Sequence, residues 1–276
     1  MKIQKVHAIF FSPTGTTKTV VSTLSGRLAE RLNTEICIFD FTLPAVRETA
    51  PVFSEQDLVV LGVPVYAGRV PNLMLKFIQA IQGRGALGVP VVLYGNRDYG
   101  DALMELKQLM ATDGFHPVAG AALVGQHSFS EVLAAGQPDN VVLAQVADFA
   151  DKISDKVLAA TQATSLIPAT FPGNDPIGPY FKPLGPKSAP IDIRKVKPKT
   201  SEACVNCGAC AIHCPMGAID PQDVSAVPGI CIKCHACIKH CPADAKYFDD
   251  PDFLFHKRDL ETRFAAPIKP PVFVLN

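Results

Sequence analysis

The chain has 276 residues, with 26 basic and 26 acidic side chains, 48% apolar residues and no tryptophan. At roughly 150 residues per domain, this length predicts about two domains. The balanced charge lacks the basic excess that is typical of proteins binding nucleic acids or anionic membranes. No apolar run approaches the ~18 residues of a membrane span, and the first residues do not match a signal peptide, so we expect a cytoplasmic protein.

The first region, residues 1–162, alternates short apolar runs rich in β-branched residues with segments of helical period. Strands are predicted at 6–11, 35–39, 58–63, 89–93 and 118–124, and helices at 16–32, 72–81, 98–113 and 139–160. Pro44 and Pro51 argue against a long helix in the remaining interval. This alternation predicts an α/β domain with a five-stranded parallel sheet covered by helices on both faces.

The loop after the first predicted strand is a candidate phosphate site. Its residues are Ser12, Pro13, Thr14, Gly15, Thr16 and Thr17. Hydroxyl groups, a glycine that permits close approach and the free N–H groups of a helix N-terminus together can bind a phosphate without a cationic side chain. The loop lacks the spacing of a nucleoside triphosphate P-loop, and the same residue types also cap helices.

Two further loops follow the third and fourth predicted strands, at the edge where open α/β sheets bind ligands. Each combines a tyrosine with glycines, which suits a flat ring that needs a stacking face and close backbone contacts, although a single tyrosine also fits ordinary packing. The candidate binding residues are Pro64, Val65, Tyr66, Ala67 and Gly68 in one loop, and Gly95, Asn96, Arg97, Tyr99, Gly100 and Asp101 in the other.

The first region resembles the flavodoxin family, because Ser12, Thr14, Gly15 and Thr17 match its phosphate-loop pattern S/T-x-T-G-x-T. The resemblance implies a sheet of order 2-1-3-4-5 that binds FMN non-covalently. A second glycine pattern, at 83–88, fits the dinucleotide fingerprint G-x-G-x-x-G. It lies between a helix and a strand, which is the reverse of the required order, so we interpret it as a turn.

Residues 163–199 contain many prolines and are predicted to be a linker. Beyond the linker, residues 200–249 hold eight of the nine cysteines, whereas Cys37 lies on a predicted strand and is interpreted as a core residue. The motif C-x2-C-x2-C-x3-C-P starts at residue 204 and recurs at residue 231, with eight identities in 17 aligned positions. Such crowding in a cytoplasmic chain indicates metal binding rather than disulfides.

Two sets of four thiolates with a proline after each last cysteine favour iron–sulfur clusters, although paired C-x2-C spacing also occurs in zinc sites. The region resembles the bacterial two-[4Fe–4S] ferredoxin domain, a run for which crossed ligation by the fourth cysteine is known. The resemblance implies one cluster on Cys204, Cys207, Cys210 and Cys241, and another on Cys231, Cys234, Cys237 and Cys214. Residues 250–276 form an apolar tail that we expect to pack back on one of the domains.

Taken together, the chain resembles flavodoxin–ferredoxin fusion proteins. The leading functional prediction is a low-potential electron-transfer protein that relays electrons between two [4Fe–4S] clusters and FMN, and between redox partner proteins, without a catalytic acid or base. The alternative is a flavoenzyme that reduces a small molecule in a cavity lined by His127, Tyr66 or Arg97. A redox sensor is a third possibility. The protein is expected to be a monomer, or a homodimer if the linker delivers the clusters to another subunit's FMN.

Overall fold

The computed structural model describes residues 2–162, 165–166 and 169–275. The first region forms β1 (Lys5–Phe10), β2 (Glu35–Asp40), β3 (Asp57–Pro64), β4 (Leu87–Tyr94), β5 (His116–Pro117) and β6 (Gly120–Val124). Its helices are α1 (Thr16–Leu32), α2 (Leu75–Ile78), α3 (Ala102–Thr112) and α4 (Asn140–Ala159). Two short 3-10 helices lie at Pro44–Glu48 and Asn72–Met74.

The strands pair in parallel in the order β2-β1-β3-β4-β6, with the short β5 beside the start of β4. This is the predicted order 2-1-3-4-5, with the fifth position divided between β5 and β6. One apolar core lies on each face of the sheet, and the middle strands are almost fully buried because helices cover both faces. The structure therefore confirms the doubly wound α/β class.

The cysteine-rich region is a small unit built from β7 (Lys199–Thr200), α5 (Ala209–Ile212), α6 (Ala236–Lys239) and β8 (Lys246–Tyr247). The two helices occupy equivalent positions in the two cysteine repeats, and β7 pairs with β8 in antiparallel fashion. The unit has its own small apolar core, which includes Cys210 and Cys237.

The C-terminal segment is structured and returns to the first domain. Helix α7 (Pro251–Phe264) begins at Asp250, whose carboxylate accepts from the N–H of Phe253 at 2.9 Å. After it, β9 (Val272–Val274) pairs antiparallel with β6 and becomes an edge strand of the large sheet. The chain thus runs from the sheet to the cysteine-rich unit and back to the sheet.

The proline-rich segment also contacts the first domain. Phe171 is buried against Gly120, and the residues from Asn174 to Phe181 lie over the loops that follow β3 and β4. The predicted domain boundary at residues 162–163 falls partly outside the described residues, as does Pro168 of the predicted linker.

Helix bounds differ from the sequence prediction in two places. Helix α3 begins at Ala102 rather than at 98, because Asn96 and Gly100 adopt left-handed backbone conformations with φ of 62° and 52°. The predicted helix 72–81 is a 3-10 turn followed by the four residues of α2, because the chain then bends to form a bridge between Gln82 and Val52.

Candidate functional site

The three candidate flavin loops meet at the carboxyl edge of the sheet. The loops after β3 and β4 touch directly, since the N–H of Asp101 donates to the carbonyl of Gly68 at 3.0 Å. The phosphate loop after β1 reaches the end of β6, where Thr16 lies beside Gly125. The parallel sheet brings these loops together because each follows the carboxyl end of a neighbouring strand.

The loop of residues 12–17 retains the features that a phosphate needs. Gly15 has a φ of 91° and precedes the first turn of α1, and no other atom lies within 4 Å of the position of its missing Cβ. Gly15 has no side chain to cap this helix, which leaves the N–H groups of Thr16 and Thr17 available to a ligand. The Ser12 hydroxyl accepts from the N–H of Lys18 at 2.9 Å, which holds the loop against the helix. The loop therefore fits a phosphate group.

The loop after β3 is a tight turn held by neighbouring segments. Tyr66 and Arg69 exchange backbone hydrogen bonds of 3.0 and 3.1 Å, while Ala67 and Gly68 between them have φ of 53° and 77°. The carbonyl of Ala67 accepts from the N–H of Phe181 at 2.9 Å, so the proline-rich segment fixes one face of the turn. Pro64 and Val65 connect this turn to the end of β3, and the Val65 N–H donates to Leu93 at 2.7 Å.

The loop after β4 uses several of its predicted site residues to hold other parts of the protein. The Asn96 side chain binds the carbonyls of Phe264 and Pro267 and accepts from the N–H of Lys269. The Asp101 carboxylate accepts from the backbone N–H groups of Asn174 and Gly178, at 2.9 and 2.8 Å. These two side chains therefore anchor the C-terminal and proline-rich segments.

The other residues of this loop pack against aromatic rings from neighbouring segments. Gly95 lies against the ring of His127, which leaves no room for a Cβ. The Arg97 guanidinium stacks over the ring of Phe181 at 4.1 Å, and Tyr99 packs edge-on to Tyr94 at 5.4 Å. Tyr180 and Phe181 belong to the segment interpreted as a linker, so no sequence motif indicated their place beside the flavin loops.

Arg69 makes a buried ion pair with Glu105 of α3. Its Nε and Nη2 donate to the two carboxylate oxygens at 2.7 and 2.5 Å, and the carboxylate also accepts from the N–H of Val70 at 2.8 Å. The Tyr180 ring lies 4.7 Å from the guanidinium. Arg69 thus connects the loop after β3 with α3 and the proline-rich segment.

The eight cysteines line two small cavities, four in each. Cluster site 1 is lined by Cys204, Cys207, Cys210 and Cys241. Cluster site 2 is lined by Cys214, Cys231, Cys234 and Cys237. These sets are the ones that the resemblance to two-cluster ferredoxins implies, with the fourth cysteine of each repeat in the cavity of the other.

The donor chemistry of both cavities fits an iron–sulfur cluster. All four donors are thiols, and no disulfide joins any of the nine cysteines. In residues 2–162, 165–166 and 169–275, no group of three or more His, Cys, Asp or Glu side chains is close enough to hold a single metal ion.

The two cavities differ in their surroundings. In cluster site 1 Cys207 is exposed, and backbone N–H groups outweigh burial and lower the pKa of Cys241. In cluster site 2 burial raises the pKa of Cys237 to about 12 and that of Cys234 well above the usual range of a thiol. Cluster site 2 is therefore enclosed, whereas cluster site 1 borders solvent.

Cluster site 2 faces the loop after β3. Met216 and Ile232 of the cysteine-rich unit pack against the apolar core that also contains Tyr66. Burial raises the pKa of Tyr66 well above its usual range, and the nearby thiols of Cys234 and Cys231 raise it further. A candidate flavin residue and two candidate cluster ligands of the same chain are thus close neighbours.

The cysteine-rich unit also contacts the phosphate loop and the segment after β2. Burial lowers the pKa of His240 and the nearby backbone of Pro13 partly opposes that effect, while the His240 ring stacks on His213 with a centroid separation of 4.0 Å. These two histidines occupy equivalent positions in the two repeats. The Arg47 guanidinium donates to the carbonyl of Pro215 at 2.5 Å. These two contacts, together with the packing of Met216 and Ile232, hold the unit against the carboxyl edge of the sheet.

A group of aromatic rings fills the space between the loop after β4, α6 and α7. Phe129 is at its centre, 4.1 Å from the ring of His127 and 5.2 Å from Phe253. His235, next to the ligand Cys234, stacks on Phe248 at 4.8 Å. Burial lowers the pKa of His127 to about 3, and its Nδ1 has no hydrogen-bond partner among the described residues. A buried Nδ1 without a partner beside Gly95 is consistent with a ligand at this edge.

Among the described residues, no helix combines the length and apolar character required to cross a bilayer.

Comparison with known proteins identifies the cysteine-rich unit. Residues 203–245 match the family model of the 4Fe-4S dicluster domain. No curated protein matches the sequence.

Several solved flavodoxins are similar to the first region. A flavodoxin from the domain Archaea has 16% identity and a TM-score of 0.42, and covers 56% of this chain and 99% of its own. Flavodoxin 1 from Bacillus cereus has 20% identity, a TM-score of 0.40 and coverage of 53% and 95%. A Fusobacterium nucleatum flavodoxin bound to flavin mononucleotide has 15% identity, a TM-score of 0.38 and coverage of 55% and 98%. By its strand order and its C-terminal match, the chain combines a doubly wound α/β domain of order 2-1-3-4-5 with a 4Fe-4S dicluster domain.

Proposed function

We propose that the protein is an electron carrier in which two [4Fe–4S] clusters pass electrons to, or receive them from, an FMN bound by the same chain. The observation that carries this proposal is the contact between cluster site 2 and the loop after β3. Tyr66 is close enough to Cys231 and Cys234 for their charges to affect its hydroxyl. A cluster in site 2 would therefore be next to a ring bound at the sheet edge, with no need for a second subunit.

The residues around the sheet edge would bind and shield the cofactor. The N–H groups at the start of α1, with the hydroxyls of Thr14 and Thr16, would hold the phosphate. The turn at Ala67 and Gly68 would provide backbone contacts to a flat ring. When bound, FMN supplies one-electron and two-electron chemistry in one group, whereas a cluster exchanges single electrons.

Cluster site 1 would exchange electrons with partner proteins. It borders solvent, and the apolar side chains of Val205 and Ile212 near it are 66% and 65% exposed. Exposed apolar groups around a surface redox centre suit brief docking by another redox protein. Electrons would then pass between this surface, cluster site 2 and FMN in sequence.

The test starts with anaerobic purification, followed by analysis of iron, sulfide and flavin and by rapid reduction with a viologen radical. We expect about eight iron atoms and one FMN per chain. In Cys234→Ser, which removes a ligand of cluster site 2, we expect cluster site 1 to be reduced normally while flavin bleaching slows more than tenfold. Equal flavin reduction rates in the two proteins, zinc in place of iron, or a protein without flavin would contradict the proposal.

The unpartnered Nδ1 of His127 favours a second candidate, in which a small molecule is reduced at FMN. Anaerobic reoxidation of the reduced protein separates the two functions. Fast reoxidation by a small quinone, lost in His127→Leu, would support the flavoenzyme. Fast reoxidation by cytochrome c in both proteins would support the carrier.

A further inference from the structure

Lys246 is a buried cation that makes no ion pair among the described residues. It lies in β8, is only 3% exposed and directs its Nζ into the cysteine-rich unit. The ammonium donates to Thr200 Oγ1 at 2.7 Å and to the carbonyl of Val224, which are both neutral acceptors. The charge of Lys246 also acts on the carboxylate of Asp223, but that side chain is exposed and its pKa is lowered chiefly by hydrogen bonds from Ser225. A buried charge without a counter-charge is costly, so an anion beside it is expected.

The cavity of cluster site 1 supplies the place for that anion. Lys246 lines this cavity together with its four cysteines. Burial raises the pKa of Cys210, and the charge of Lys246 acts in the opposite direction by favouring the thiolate. The ammonium is therefore close enough to a ligand of cluster site 1 to interact with it electrostatically.

The other repeat has no such charge. The alignment that pairs Cys204 with Cys231 also pairs Ile219 with Lys246. Ile219 lines the cavity of cluster site 2 and is 4% exposed, so the two residues occupy matching buried positions. The repeats thus share their ligands and differ in one buried charge.

A cation near cluster site 2 does not remove this difference. Lys233 is beside Cys231, but its ammonium donates to the carbonyls of Arg194 and Cys231 and is only partly buried. Solvent screens such a charge more strongly than it screens a fully buried one. The charge of Lys246 also acts to lower the pKa of Cys237 in cluster site 2. Burial and the thiol of Cys231 influence that pKa more strongly.

We propose that the ammonium of Lys246 is the internal counter-charge of the cluster in site 1 and makes that cluster easier to reduce than the cluster in site 2. The proposal rests on the proposed function, since it requires both clusters. A cluster with four thiolate ligands is an anion, and reduction adds one negative charge to it. A fixed positive charge in a low-dielectric interior stabilises the reduced form more than the oxidised form. The first electron to enter the pair therefore stays at the solvent-facing site.

The test is a redox titration of the anaerobic protein with EPR detection. In the wild type we expect two midpoint potentials, and the higher one should disappear in Cys207→Ser, which removes a ligand of cluster site 1. Lys246→Met should lower the potential of cluster site 1 by about 59 mV, which is a tenfold change for one electron, and shift cluster site 2 less. Lys246→Arg, which keeps the charge, should stay near the wild-type values.

Lys199→Met is the matched control, because it removes a lysine of the paired strand whose side chain is 60% exposed and bound to Asp249. We expect it to leave both potentials unchanged. The proposal is overturned if Lys246→Met keeps both clusters with unchanged potentials, if both potentials fall equally, or if Cys207→Ser loses the lower potential. If Lys246→Met fails to assemble its clusters, Cys207→Ser decides: the proposal requires that this variant lose the higher potential and keep the lower one. Absence of clusters from the wild type would instead contradict the proposed function.

Discussion

The two cysteine repeats share one ligand pattern, yet the protein places them in different environments. Cluster site 1 borders solvent, with Cys207 exposed and a buried lysine beside it. Cluster site 2 is enclosed by the flavin loops and by the aromatic group around Phe129. Identical ligands can therefore serve two tasks, because the exposure and charge around a cluster influence its potential and its access to partners.

The largest expected effect is a difference in stability between a variant that loses a cysteine of cluster site 2 and one that loses a cysteine of cluster site 1. Cys207→Ser and Cys234→Ser should each leave about half of the eight iron atoms. Only Cys234→Ser should also lower the midpoint of thermal unfolding strongly, because it empties the site that packs against the first domain. Iron analysis and calorimetry under anaerobic conditions provide the measurements. Equal losses of stability in the two variants would show that enclosure of cluster site 2 contributes little.

The second-largest effect is expected when the aromatic packing beside cluster site 2 is disrupted. Phe253 is 1% exposed and lies 4.7 Å from Phe248 and 5.7 Å from His235. Phe253→Ala should destabilise the protein by about 3–5 kcal/mol, because it leaves a cavity in this packing. Val205→Ala, beside cluster site 1, is the control and should change stability by less than about 0.5 kcal/mol. Denaturant unfolding of the two variants measures the difference, and similar values would refute the asymmetry.

A smaller effect is expected at the contact between Arg47 and Pro215. The partly buried guanidinium also donates to the carbonyls of Phe41 and Thr42, at 2.9 and 2.7 Å. Arg47→Met should cost about 1–3 kcal/mol, because it leaves these acceptors without their charged donor.

The same substitution should increase hydrogen exchange in residues 214–219, which border cluster site 2, and leave residues 204–210 unchanged. Arg194→Met is the control, since that side chain is 88% exposed and its ion pair among the described residues is with the neighbouring Asp192. Equal exchange of both segments in Arg47→Met would mean that this contact does not hold cluster site 2 in place.

Local features of the protein were predictable from sequence because they depend on residues close together in the chain. Helix α1 spans the predicted 16–32, and the strand order follows from the alternation of strands and helices. The dicluster match at residues 203–245 agrees with the repeated cysteine motif, whose spacing alone specifies the ligand types. The ligand sets and the flavin-binding residues remain predictions.

The roles of the proline-rich and C-terminal segments could not be predicted. Prolines exclude helix interiors and central strands, but they do not show where an irregular segment packs. The bonds of Asp101 to Gly178 and of Asn96 to Lys269 join residues that are 77 and 173 positions apart. No periodicity or motif connects positions at such distances.

The sequence by itself determined the sheet, the candidate phosphate loop and the two sets of cysteines, since these follow from hydrophobic period, turn residues and cysteine spacing. Only the tertiary structure decided that cluster site 2 faces Tyr66 and that a buried Lys246 stands where the other repeat has Ile219. The physical reason is that exposure and electrostatic environment arise from contacts between distant segments. The same motif therefore acquires different properties in its two copies.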